Sequence, residues 1–91
     1  MSLQIDQTTL VEATIAAYRE PNKEGIRDEV TWEIRTDQAR SRFWVLRSAD
    51  GTTYNVTDTE SISSAREALR SDVTSYTRNR DMVITGKTVT S

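Results

Sequence analysis

An Asp50-Gly51 pair set between two alternating runs is the strongest local instruction in this chain. Asp-Gly accepts positive φ at the centre of a tight hairpin turn, where most residues are strained. Phe43-Trp44-Val45-Leu46 leads through Ser48-Ala49-Asp50-Gly51-Thr52 into Thr53-Tyr54-Asn55-Val56-Thr57, so the chain is predicted to double back as an antiparallel pair. With Asp50 and Gly51 as the turn residues, Val45 faces Val56, Arg47 faces Tyr54 and Phe43 faces Asp58. Upstream, from about Asp28 to Arg35, Val30, Trp32 and Ile34 share one face, while Glu29, Thr31, Glu33 and Arg35 share the other. This is the pattern of a half-buried strand. The Phe43-to-Leu46 run differs, because Phe43 and Val45 point one way and Trp44 and Leu46 the other. It needs cover on both faces.

Ile62, Ala65, Leu69, Val73 and Tyr76 recur at steps of three or four, which predicts a helix over about 62–78. Asp58 to Ser61 supply N-cap candidates, and Ser64 with Glu67 fits a capping box. Asn79-Arg80-Asp81 then breaks the pattern ahead of a short strand, Met82-Val83-Ile84-Thr85, and residues 86–91 read as a tail prone to fraying. Near the N-terminus, Thr9 and Glu12 resemble a capping box, and Val11, Ile15 and Tyr18 fall at helical spacing before Pro21, predicting a helix. The Val11-Ala13-Ile15-Ala17 alternation also permits a strand. Pro21-Asn22-Lys23-Glu24-Gly25 reads as a turn. The expected fold over 1–91 is a single α+β domain. A small, mainly antiparallel sheet of three or four strands is packed by the C-terminal helix, and the N-terminal helix covers its second face. The alternative leaves Trp44 on a partly open face as an anchor for a partner.

Ninety-one residues suffice for one core, which two Trp, three Tyr and one Phe can fill. There is no Cys, so neither a disulfide nor a thiolate metal site supports the fold. No apolar run is long enough to cross a bilayer, and Met1-Ser2-Leu3-Gln4-Ile5-Asp6 lacks the basic start and apolar stretch of a signal peptide. A cytoplasmic location is expected, and Asn55-Val56-Thr57 is then a chance match to the glycosylation pattern. Charge is unevenly distributed. Residues 1–34 hold three basic against seven acidic residues, and residues 35–47 hold four arginines against one aspartate. Such separation favours oriented encounter with a charged partner or with a neighbouring copy.

The absence of His removes the usual general base, the usual zinc ligand and every Ser-His pair. Asp28-Glu29 and Asp58 with Glu60 offer carboxylates for a hard cation or for acid–base work, but both read as solvated turn and strand-edge charges. Gly86-Lys87-Thr88 matches the end of a phosphate-binding loop, yet Asp81 stands where the first Gly is required and no helix has room to follow. Ser63-Ser64 and the other hydroxyls suit caps and wet strand faces. No enzyme activity, cofactor or metal is implied.

Trp32-Glu33-Ile34-Arg35-Thr36-Asp37, then Arg42-Phe43-Trp44-Val45-Leu46-Arg47-Ser48-Ala49-Asp50-Gly51 and a Ser-rich entry to the Ala65-to-Leu69 helix, resemble the βββα unit of the YegP-like family of uncharacterised proteins. The resemblance covers roughly residues 30–75 and implies a fold without a function. The hairpin-then-helix order is also similar to the arm-type DNA-binding domains of phage integrases, which place a three-stranded sheet in the major groove.

Arg40, Arg42, Trp44, Leu46 and Arg47 form the expected partner-binding surface, with Arg40 and Arg42 on the face of Trp44 and Leu46. The expected function is that of a small non-catalytic protein-interaction or adaptor module of phage or bacterial regulatory type, binding a protein partner or itself as a homodimer. The alternative is a DNA- or RNA-binding accessory protein, in which cations beside a stackable ring are extended by Arg66, Arg70, Arg78 and Arg80. The N-terminal carboxylates oppose that reading unless the fold segregates them.

Overall fold

A computed structural model of the chain describes residues 7–20 and 29–90. Five strands and one helix follow in the order β1 (Thr9–Tyr18), β2 (Glu29–Thr36), β3 (Phe43–Ala49), β4 (Thr52–Thr59), α1 (Ile62–Arg80) and β5 (Met82–Val89). The strands form one antiparallel sheet in the order β4-β3-β2-β1-β5. The α+β class with a C-terminal helix is therefore present, but the sheet has five strands where three or four were expected. The expected N-terminal helix is replaced: Thr9 to Tyr18 is a strand. The alternation of Val11, Ala13, Ile15 and Ala17 prevails because β1 is paired on both sides, with β2 and with β5. That pairing engages Glu12 to Ala17 on both sides and outweighs a local capping signal. Glu12 closes no capping box; its carboxylate pairs with Arg66 instead. The turn expected at Pro21 to Gly25, and Asp28, lie outside the described residues.

The hairpin turn places Asp50 at φ 53° and Gly51 at φ 76°. Two successive positive φ values match the right-handed twist of the flanking strands. Arg47 lies opposite Tyr54, but a bulge at Val56 shifts the ladder by one, so Val45 faces Thr57 and Phe43 faces Thr59. Comparable irregularities occur at Val11 in β1 and at Thr85 in β5.

Ser61 caps α1, its hydroxyl accepting from the Ser64 N–H at 3.4 Å. The helix closes at Asp81, which adopts φ 51° and donates its N–H to the Thr77 carbonyl. Ala65, Leu69 and Val73 form its buried stripe, set against Val30, Trp32 and Ile34 of β2 and Phe43 and Val45 of β3. Trp32 is wholly buried and meets Tyr76 edge-on, with ring centroids 5.6 Å apart. On the other side of the sheet, Leu46 and Ala17 are also buried.

The topology dictates where the helix lies. β4 and β5 sit on opposite edges and, with four antiparallel steps between them, run in the same direction. The helix joining the end of β4 to the start of β5 must therefore cross the sheet on its way back. Five strands spaced about 4.8 Å apart exceed the roughly 10 Å width of one helix by nearly twofold. Two wedges remain beside α1. The wedge towards β4 is occupied by Arg47, Tyr54 and Tyr76, and the wedge towards β5 is left open by the described residues. Among the described residues, no helix is long and apolar enough to cross a membrane.

Candidate functional site

The expected contact surface is distributed over several environments. Arg40 lies in the turn before β3 at φ 56°, its guanidinium 6.0 Å from the centroid of Phe43. Asp37 organises that turn by accepting from the Ser41 and Arg42 backbone N–H groups at 2.7 and 3.2 Å and from the Ser41 hydroxyl. These contacts, led by the Ser41 hydroxyl, hold the Asp37 carboxyl below its ordinary pKa. Arg42 does share the side of Trp44, but it pairs with Asp58 at 2.8 Å and Glu60 at 3.8 Å. Trp44 is half-buried, opposite Arg35 of β2 and Asp58 of β4. Leu46 is only 2% exposed and presents almost no contact area.

Arg47 belongs to the helix side. Its guanidinium binds both oxygens of Asp72, at 2.8 and 3.1 Å, and lies 5.6 Å from the Tyr54 centroid and 4.9 Å from that of Tyr76. The same Asp72 accepts the Trp32 indole N–H at 2.7 Å. Arg80 approaches the Tyr76 centroid to 3.8 Å. Asp72 thus neutralises one cation and satisfies a buried donor, while Tyr76 supports two guanidinium groups. This assembly covers the β4-side wedge and packs against the core through Trp32 and Tyr76.

The open wedge brings together residues of a different set. A cleft of about 200 Å³ separates α1 from β1 and β5. Arg66 and Arg70 line the helix wall, Ile84 and Lys87 the β5 wall, and Glu12 and Thr14 belong to β1, with Leu69 and Val73 below. Arg66 contacts Glu12 at 3.2 Å. Arg70 and Lys87 form no ion pair among the described residues, which leaves three cations against one carboxylate. Arg70 also borders a shallow surface along the outside of α1 with Glu67, Ser71, Thr74, Ser75 and Arg78. Of the four helix arginines expected at a nucleic-acid surface, Arg66 and Arg70 enter the cleft, Arg78 lies along the outside, and Arg80 covers Tyr76.

Sequence reasoning missed Ile84, Lys87, Glu12 and Thr14 as residues that line one cleft with Arg70. The bulge at Thr85 explains the omission. Ile84 pairs with Ala16 and Lys87 with Thr14, so two β5 residues three apart share the helix side, where simple alternation would oppose them. Val89, opposite Glu12, continues the row. Ile84 at 48% and Val89 at 64% are, with Tyr54, the large apolar residues exposed among those described.

Compared with protein-family models, with curated proteins and with solved structures, the chain has no match. These comparisons do not bear on the YegP-like resemblance of residues 30–75.

Proposed function

We propose that this chain is a small non-catalytic protein-interaction module that receives its partner in the open wedge between α1 and β5. The observation that carries this reading is the excess of cations beside the exposed Ile84 and Val89, with Arg70 and Lys87 lacking an acidic partner among the described residues. Cations beside exposed aliphatic side chains favour a partner that offers both carboxylates and apolar groups. The two outer strands favour this surface over sheet-edge pairing, because Val56 in β4 and Thr85 in β5 are bulged. Bulged edges twist away from an incoming strand and blunt self-association.

Size-exclusion chromatography with light scattering at low and high salt establishes the oligomeric state. Fluorescence anisotropy then compares an acidic peptide, duplex DNA and single-stranded RNA on the native chain and on Arg70→Glu and Lys87→Glu. The module reading expects a monomer that binds the peptide, with both substitutions weakening the complex. A salt-resistant dimer indifferent to either substitution would refute it.

Nucleic-acid binding is the second reading, supported by the exposed Arg70–Arg78 row along α1. In that case Arg78→Glu weakens binding as much as Lys87→Glu, and log K falls with log salt by about 0.9 per neutralised duplex phosphate.

A further inference from the structure

We infer that the occupant of the wedge is an amphipathic helix with acidic flanks, contributed by a different protein. This deepens the interaction-module reading and rests on it. The helix α1 packs mainly over β2, β3 and β4, so the strip over β1 and β5, two neighbouring strands, is left with roughly the width of a single further helix. Its walls carry complementary information. Arg66 and Arg70 stand one helical turn apart on α1, and Lys87 faces them across the cleft. An entering segment therefore meets Arg70 and the Glu12-paired Arg66 on one flank, Lys87 on the other, and the exposed apolar side chains Ile84 and Val89 along β5. An apolar stripe with carboxylates on each side satisfies that arrangement, as in other helix-in-groove complexes.

Three other occupants fit less well. A strand added to β5 must pair across the bulge at Thr85, where the ladder is interrupted. A small anion fills the polar rim but leaves Ile84 and Val89 as exposed as before. The α1 helix of a second copy presents Glu67, Arg70, Ser71, Thr74, Ser75 and Arg78 outward, with no apolar stripe to insert and cations that repel those of the wedge.

The test is selection from a display library of random peptides about 16 residues long, enough for roughly four helical turns. The bait is the full chain, counter-selected against the Arg70→Glu/Lys87→Glu variant. Both positions are exposed, so the variant is expected to fold, and circular dichroism checks this. The expected peptides carry apolar residues at helical spacing flanked by Asp or Glu and gain helicity on binding. They lose about tenfold or more in affinity for the variant, and reversing their acidic residues to Lys restores binding to it. Acidic peptides with strand periodicity or internal proline, and no gain in helicity, would overturn the helix and leave the interaction-module reading standing. If no enriched peptide depends on Arg70 and Lys87, both readings fall.

Discussion

Asp72 offers the sharpest test of how this fold is held together. Its carboxylate accepts the Trp32 indole N–H at 2.7 Å and binds Arg47 at 2.8 Å. Trp32 is fully buried, so Asp72→Ala leaves its indole donor without a protein partner, at a cost of about 1–3 kcal/mol. Arg47 and Asp72 keep side-chain exposures of 24% and 21%, so the guanidinium retains some solvation and its lost pairing adds at most about 1 kcal/mol. A net loss of about 1–4 kcal/mol corresponds, for a domain of this size, to a fall in Tm of roughly 4–32 °C. Asp72→Asn keeps an oxygen acceptor for the indole and should lose about 1 kcal/mol. Urea denaturation followed by circular dichroism measures all three proteins. A double-mutant cycle of Trp32→Phe with Asp72→Ala isolates the indole bond and should give a coupling of about 1 kcal/mol. The reasoning is refuted if Asp72→Ala stays within about 0.5 kcal/mol of the native chain, or if the two substitutions are additive.

Other perturbations probe separate parts of the fold. Leu46→Ala should cost about 2–4 kcal/mol in urea denaturation, because the side chain is buried although α1 packs on the opposite face. Gly51→Ala meets no atom within 4 Å, so its cost of about 1–2 kcal/mol is the strain of a Cβ at φ 76°, and thermal unfolding should show that loss with the native circular dichroism spectrum retained. Asp37 is held below its ordinary pKa of 3.8, chiefly by the Ser41 hydroxyl and further by the Arg42 and Ser41 N–H groups. A carboxylate depressed in the folded state stabilises the fold above its unfolded pKa, and that contribution is lost as pH falls through the folded value. An NMR titration should place the Asp37 midpoint below 3.8 and move it upward in Ser41→Ala.

How much of this was legible in the sequence depends on the range over which each feature is decided. The Asp50-Gly51 turn and the Ile62-to-Tyr76 stripe depend on neighbouring residues, and both could be read directly. The segment from Thr9 to Tyr18 could not, because Val11, Ile15 and Tyr18 fit a helix as well as Val11, Ala13, Ile15 and Ala17 fit a strand. The deciding partner is β5, about 70 residues further along, whose backbone occupies the free edge of β1. Arg47 shows a different limit. Its nearness to Trp44 in sequence suggested a shared surface, yet three steps along a regular strand lead to the opposite face, where Asp72 awaits it from α1.

The candidate site was hidden for a topological reason. No short pattern announces a wedge, since it arises from the width of a five-stranded sheet against one crossing helix and from the one residue that Thr85 adds to β5. The bulge has two effects. It breaks the outer edge of β5 as a template for another strand, and it brings Ile84 and Lys87 onto the side facing Arg70. Restoring regular alternation by deleting Thr85 would send either Ile84 or Lys87 to the far face. Edge protection and the mixed cationic–apolar wall are thus consequences of the same inserted residue, and a partner that uses the wedge depends on both.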